Sequence, residues 1–307
     1  MLTIGAMIFK TMSKAALIAS TALLVPLAAC SSNDTASETK TSTEVAATDP
    51  RLAEAASEYA AWVRQEADAL VAGTKEFTDA YIAGDNEKAK SLYAPTRAHW
   101  EAIEPVAEKF GDLDPKTDAR EADLAQGQAW TGWHLIEKDL WQPAPDANGG
   151  KTYQPLSPED RTKYATMLNT DVASIKTHTD ADDFPNSITA ESIANGSKEL
   201  LDEVANGKIT GEEEIWSHTD LWDFQANITG AKKGYDLLRP VVVDKDPKLA
   251  ETLDARFAAV QELLDSHKEG DGFVLYTALT QDQIKALSKA VEALGEPLSK
   301  LAAAVKQ

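Results

Sequence analysis

At 307 residues, 43% apolar and only 7% aromatic, the chain can bury a sizeable core, which excludes disorder of the whole. Its formal charge is −20, and residues 1–30 carry Lys10 and Lys14 but no acid, so removing them would leave −20 − 2 = −22. Such a surface attracts cations and repels nucleic acid, which is not expected as a partner.

Residues 1–30 read as a secretory signal. Lys10 and Lys14 precede an apolar run from Ala15 to Ala29 that is short for a bilayer span and broken by Ser20, Thr21 and Pro26. Leu27-Ala28-Ala29-Cys30 resembles the bacterial lipobox, in which the Cys is lipidated and becomes the mature N-terminus. Cys30 is the only cysteine, so no disulfide forms within the chain. Acyl chains there would hold the protein at a membrane surface, each buried CH₂ contributing about 0.8 kcal/mol. Ser31, rather than Asp, follows the Cys, an address that points to the outer membrane. Residues 31–49 have almost nothing to bury and read as a flexible tether, so the folded part, 50–307, starts near Pro50.

From 51 to 72, apolar residues recur at helical spacing (Leu52, Ala55, Tyr59, Trp62, Val63, Leu70), with Gly73 as the stop. Residues 74–83 and 85–93 read as further helical pieces separated by Gly84. Between 97 and 110, the stripe Trp100, Ile103, Ala107 and Phe110 is flanked, about 100° away, by Glu101, Glu104 and Glu108. Pro105 interrupts that helix by removing the bond to the Glu101 carbonyl. Asp118 then stands near the start of a long helix to about Trp141, with Gly127 and Gly132 inside it, each costing about 1 kcal/mol against Ala. After a Pro- and Gly-rich loop, Ser157-Pro158 caps a helix to about Thr177, and further helices are read at 189–205, 221–238, 247–267, 280–294 and 297–305. Residues 241–243 and 273–276 are strand-like but too short for a sheet. Short loops between amphipathic helices predict an all-α fold, and about 255 residues suffice for two bundles. No transmembrane helix, phosphate-binding loop or dinucleotide fingerprint is present.

The chemistry concentrates at His134 and Glu137. At i and i+3 on a helix their side chains share a face, and Glu101 and Glu104 repeat the spacing, so two packed helices could bring one nitrogen and three carboxylates together. His134 lies among Trp130, Trp133, Leu135, Ile136 and Trp141, and a buried imidazole needs a partner. His99, beside the acidic stripe, reads first as a partly exposed helix residue and second as an accessory ligand, His178 and His267 as helix C-terminal residues, His218 as a cap or surface residue, and Asp220 and Asp223 equally as helix caps or as binding residues. Trp62, Trp130 and Trp222 read as core.

Gly132-Trp133-His134-Leu135-Ile136-Glu137 resembles the Gly-x-His-x-x-Glu motif of the imelysin family, particularly its EfeO and EfeM branch. Two further blocks agree: residues 101–120, which begin Glu-Ala-Ile-Glu-Pro, and residues 199–227, with Gly-Lys-Ile-Thr-Gly-Glu-Glu-Glu and Ser-His-Thr-Asp-Leu-Trp-Asp-Phe-Gln-Ala-Asn. The resemblance implies two packed four-helix bundles and a lipid-anchored, periplasm-facing component of an EfeUOB-type iron uptake system. An inner-membrane iron permease and a haem peroxidase are its implied partners. Longer EfeO proteins carry a cupredoxin-like domain where this chain has only the tether, so the short, EfeM-type form is the one it resembles. Carried over, the metal positions are His134 and Glu137 from the motif, Glu101, Glu104 and Asp118 from the acidic block, and Glu203.

Carboxylates with one imidazole suit iron in either oxidation state, manganese or zinc, and select poorly against copper. Capture of iron without enzymatic turnover is the first reading. A metallopeptidase is the alternative, since relatives of imelysin are grouped with peptidases, but a zincin's His-Glu-x-x-His run is absent. Binding of an acidic polysaccharide would need a bridging cation, because the charge has the wrong sign.

Overall fold

Proline at the first helical position opens the longest element of the fold. In the computed structural model, which describes residues 49–306, Asp49 caps helix α1 (Pro50–Ala83) by accepting from the Arg51 N–H. This helix runs 34 residues without a break at Gly73, whose bare Cα lets Thr96 pack where a Cβ would stand 2.8 Å from its Oγ1. The expected stop is therefore a contact between helices. Gly84, at φ +77°, ends α1, and α2 (Asn86–Ala107) returns along it with Pro95 and Pro105 inside. Pro105 does not divide α2, because it lies two residues from the end, where the ladder is already closing.

The long helix expected from Asp118 to Trp141 does not form. Residues 113–117 make one short helix, α3 (Leu113–Thr117), and Asp118 is its C-cap. An irregular segment with a 3₁₀ turn at Glu121–Asp123 leads to α4 (Trp133–Trp141). Gly127 at φ +82° and Gly132 at φ +92° lie outside helical space, which is why both are glycine.

Ser157 caps α5 (Pro158–Asp180) as expected, accepting from the Asp160 N–H. Thr189 and Ser192 form a reciprocal capping box at α6 (Ala190–Asn206), and Thr280 with Gln283 does the same for α9 (Gln281–Leu298). Between them run α7 (Asp220–Lys245), which absorbs the strand-like residues 241–243, and α8 (Pro247–Asp265). A two-residue hairpin, β1 (Lys268–Glu269) with β2 (Gly272–Phe273), precedes α9, and α10 (Leu301–Lys306) follows it.

The helices enclose two apolar cores. One gathers Leu70, Phe77 and Tyr81 of α1, Tyr93 and Trp100 of α2, Trp133 and Ile136 of α4, and Leu168, Val172 and Ile175 of α5. The other draws on Tyr59 and Val63 of α1 and Ile103 and Val106 of α2 against α6–α10, including Leu200, Phe224, Leu253, Phe257, Leu287 and Leu294. Four helices therefore surround the first core and α6–α9 with α10 the second, while α1 and α2 run antiparallel through both. On α9, Leu287, Val291, Leu294 and Leu298 keep the 3.6-residue period, each burial contributing about 1.5–3 kcal/mol. Trp62, Trp130 and Trp222 pack on the edges of these cores, half-buried, rather than inside them.

No helix among the described residues is long and apolar enough to cross a membrane. The expected signal peptide and Cys30 lie outside the described residues.

Candidate metal centre

Gly132 positions the site. At φ +92° its Cα presses on the end of α3, where a Cβ would lie 2.1 Å from the Thr117 carbonyl oxygen. That contact sets the first turn of α4, and with it His134, beside Asp118. The imidazole is 1% exposed. Its Nδ1 lies 3.1 Å from Glu137 Oε2. Its Nε2 faces Asp118 Oδ1 at 3.4 Å and Glu213 Oε1 at 3.5 Å, yet has no hydrogen-bond partner of good geometry.

The carboxylates of α2 take other partners. Glu101, fully buried, is 2.5 Å from Arg97 Nη2 and 2.9 Å from Lys208 Nζ, and accepts from Asn227 Nδ2 at 3.1 Å. Glu104 lies 3.4 Å from Lys208 Nζ, and Glu203, half-exposed on α6, is 3.9 Å away from it. Arg97 also binds Asp118, which holds the Trp100 Nε1–H at 2.8 Å, and lies 2.6 Å from Glu214 Oε1. Asp220 and Asp223, open in the sequence between capping and binding, are fully buried. Asp220 accepts from the Glu214 N–H at 3.1 Å, and Asp223 has no hydrogen-bond partner on either oxygen.

Among the described residues, three groupings bring ligand atoms within 4.8 Å of one another: Asp118, His134 and Glu213; His134, Glu137 and Glu214; and Glu104, Asp114 and Asp118. Of the residues expected from the sequence, His134, Glu137, Asp118 and Glu104 are brought together in these groupings. Glu101 sits in the same buried network but is held by Arg97 and Lys208, and Glu203 stands at its rim. Glu213 and Glu214 stand in the sequence only within the acidic run of the 199–227 block and were not among the expected metal positions. The sequence reading also missed the buried cations. Arg97 could have been found, four residues before Glu101 on one helix face; nothing marks Lys208.

The other histidines lie apart from this network. His99 is 37% exposed and pairs with Glu66 at 2.7 Å. His178 stacks on Phe110 near the end of α5, His218 is half-buried at φ +58°, and His267 follows α8. A cleft of about 520 Å³ leads in from solvent. Glu104, Glu108, Asp114, Asp118, Asp123, Glu203 and Glu213 line it, with Arg120 as its one cation among the described residues.

The family model described as imelysin, of peptidase type M75, matches residues 55–301. The chain belongs to the imelysin family. It is 45% identical over 254 residues to an Efem/EfeO family lipoprotein of Staphylococcus haemolyticus, covering 82% of this chain and 83% of that one. It is 44% identical over 246 residues to the iron uptake system component EfeO of Escherichia coli K12, covering 79% of this chain. The match spans 61% of that relative's length, and the same holds for EfeO of Shigella flexneri.

In this imelysin the charges sort by position. Burial alone would raise Asp118, but Arg97 and His134 hold it well below the usual carboxylate range. Burial also opposes Glu213, which Lys208 and His134 hold at about 2. Burial pushes Glu104, Glu214 and Asp223 well above their ordinary range, and Asp114 up to about 7 with help from Asp118. Burial and Arg97 push His134 down, and Asp118, Glu137 and Glu213 outweigh them and raise it. An imidazole raised above its ordinary range therefore faces two carboxylates held below theirs. A metal ion replacing its Nε2 proton would meet one nitrogen and two charged oxygens, the donor set of a borderline-hard cation.

Proposed function

We propose that this imelysin is a periplasm-facing receptor, lipid-anchored through Cys30, that captures iron for uptake without turning over a substrate. One observation carries the reading: a buried imidazole nitrogen with no hydrogen-bond partner, flanked by Asp118 and Glu213, at the inner end of an acidic cleft. An empty apolar pocket gains nothing from an ion, whereas an orphaned nitrogen between two carboxylates gains a ligand's place. The relatives named for iron uptake support iron as the ion, with zinc, manganese and copper as competitors. An inner-membrane iron permease and a haem peroxidase are the partners the family resemblance implies.

Hydrolysis has less support. Among the described residues the groupings able to hold an ion contain a single imidazole, so the two-histidine zinc set of a zincin is not assembled. Anaerobic titration of chelator-stripped, full-length protein with ferrous iron, and aerobic titration with ferric citrate, tests capture directly. Saturable binding that His134→Ala and Glu213→Gln each reduce at least tenfold is the expected result. Undiminished binding in both variants, or casein cleavage that chelators abolish and His134→Ala removes, would overturn the reading.

A further inference from the structure

Lys138 on α4 is a buried cation that does not line the acidic cleft. Its ammonium donates to both oxygens of Glu121, at 2.6 and 2.7 Å. It also stands over two indole rings, 5.8 Å from the centre of Trp130 and 5.2 Å from that of Trp216. The two rings meet each other at 5.8 Å. An ammonium so shielded gives up most of its water, and here one carboxylate and two ring faces take the water's place.

These partners come from the two stretches that wall the cleft. Glu121 and Trp130 belong to residues 118–132, irregular but for one 3₁₀ turn, which give the cleft Asp118, Ala119, Arg120, Asp123 and Gln128. Trp216 belongs to residues 211–219, which form neither helix nor strand and give it Glu213. At the mouth the same stretches meet in a longer contact, Arg120 to Glu213 at 3.6 Å. Where no ladder of backbone hydrogen bonds fixes two segments, side-chain contacts set how readily they part. The Glu121 side chain is 50% exposed, so water can solvate it when that happens.

Resting on the iron-capture reading, we propose that Lys138 is the latch of a gate: from α4 it ties the two irregular walls of the cleft together and so sets how fast an ion enters and leaves. Lys138, Glu121, Trp130 and Trp216 all stand outside the cleft lining, so loosening the latch lowers the barrier to passage and leaves the ion's own contacts in place. Entry and release then accelerate together, and their ratio, the affinity, is kept. A residue that held the ion's site itself would change the affinity instead.

The test uses full-length protein stripped with chelator and loaded with ferrous iron, or with ferric citrate where only that binds. Release is the rate at which an excess of coloured chelator takes the iron, affinity comes from equilibrium dialysis, and the two together give the rate of entry. Lys138→Met keeps the apolar stem and loses the charge, and should release iron about tenfold faster with affinity within about threefold of wild type. Lys138→Arg should restore slow release, because a guanidinium still stacks on the rings and still binds the carboxylate. Glu121→Gln opens the latch from the exposed side and should also speed release, while the double variant with Lys138→Met should gain little more, as expected for one shared contact. Wild-type release in both Lys138→Met and Glu121→Gln, or faster release matched by an equal loss of affinity, overturns the latch and leaves capture standing. No saturable binding of either form of iron by the wild type defeats the capture reading, and the latch with it.

Discussion

Gly132 connects the sequence motif to the site through its backbone. Its φ of +92° is open to glycine and strained for other residues, and a Cβ would collide with the Thr117 carbonyl. Gly132→Ala should therefore cost at least about 1–3 kcal/mol in chemical denaturation and shift α4 away from Asp118, weakening iron binding as well. Wild-type stability and affinity in that variant would show that the contact with α3 does not position His134. His134 and Glu137 stand out in the sequence because motif residues keep fixed spacings, and Asp118 through the resemblance of its acidic block. The sequence hid Glu213 and Lys208, because an acidic run and a lysine in a turn are ordinary on a solvated surface, and it left Asp223 undecided between a cap and a binding residue. Only the tertiary fold buries them. Glu101 and Glu104 are candidate ligands by spacing and by family resemblance, and neither can reveal that Lys208 from another element faces both.

Helices with capping residues were legible as elements, since Ser157, Thr189 and Thr280 each satisfy an N–H at a helix start. The stretch from Asp118 to Trp141 was not, because its apolar spacing is helical while its glycines are not. What holds the short α4 in place is Asp139. It accepts from the Tyr81 hydroxyl at 2.7 Å, the Tyr153 hydroxyl at 3.0 Å, the Leu156 N–H at 2.7 Å and Arg161 Nε at 2.8 Å. This carboxylate ties α4 to α1, to the loop after it and to α5. Asp139→Ala leaves Arg161 without its carboxylate and should cost about 3–5 kcal/mol of unfolding free energy, measured by urea denaturation. A loss below about 1 kcal/mol would mean that apolar packing by Trp133 and Ile136 suffices.

The described residues comprise two apolar cores and one acidic chamber, and their charges make stability depend on pH. His134 is raised above its unfolded value, so its contribution is complete below about pH 6.5 and is lost as pH rises through the folded value. Asp114, pushed up to about 7, and Asp220, up to about 6, hold protons that the unfolded chain has released, so they too favour the fold at lower pH. Glu213, held at about 2, acts in the opposite sense only in acid: its contribution is present above the unfolded value and lost as pH falls through the folded one. Between about pH 5.5 and about pH 8, metal-free protein should therefore lose stability as pH rises, by up to about 1.4 kcal/mol per pH unit for each proton involved. Thermal melts with chelator check this, and a Tm that rises with pH over that window would contradict it. Iron should raise Tm by mass action, most strongly at the upper end, where His134 yields its proton more readily.

The central claim is the place of the ion, and anomalous diffraction from crystals grown with iron locates it directly. The account predicts one strong peak at the iron edge, within about 2.0–2.3 Å of His134 Nε2 and of oxygens from Asp118 and Glu213. A peak on Glu212, a peak at the cleft rim on Glu203, or a peak on His134 Nδ1 with Glu137 as its neighbour would contradict it.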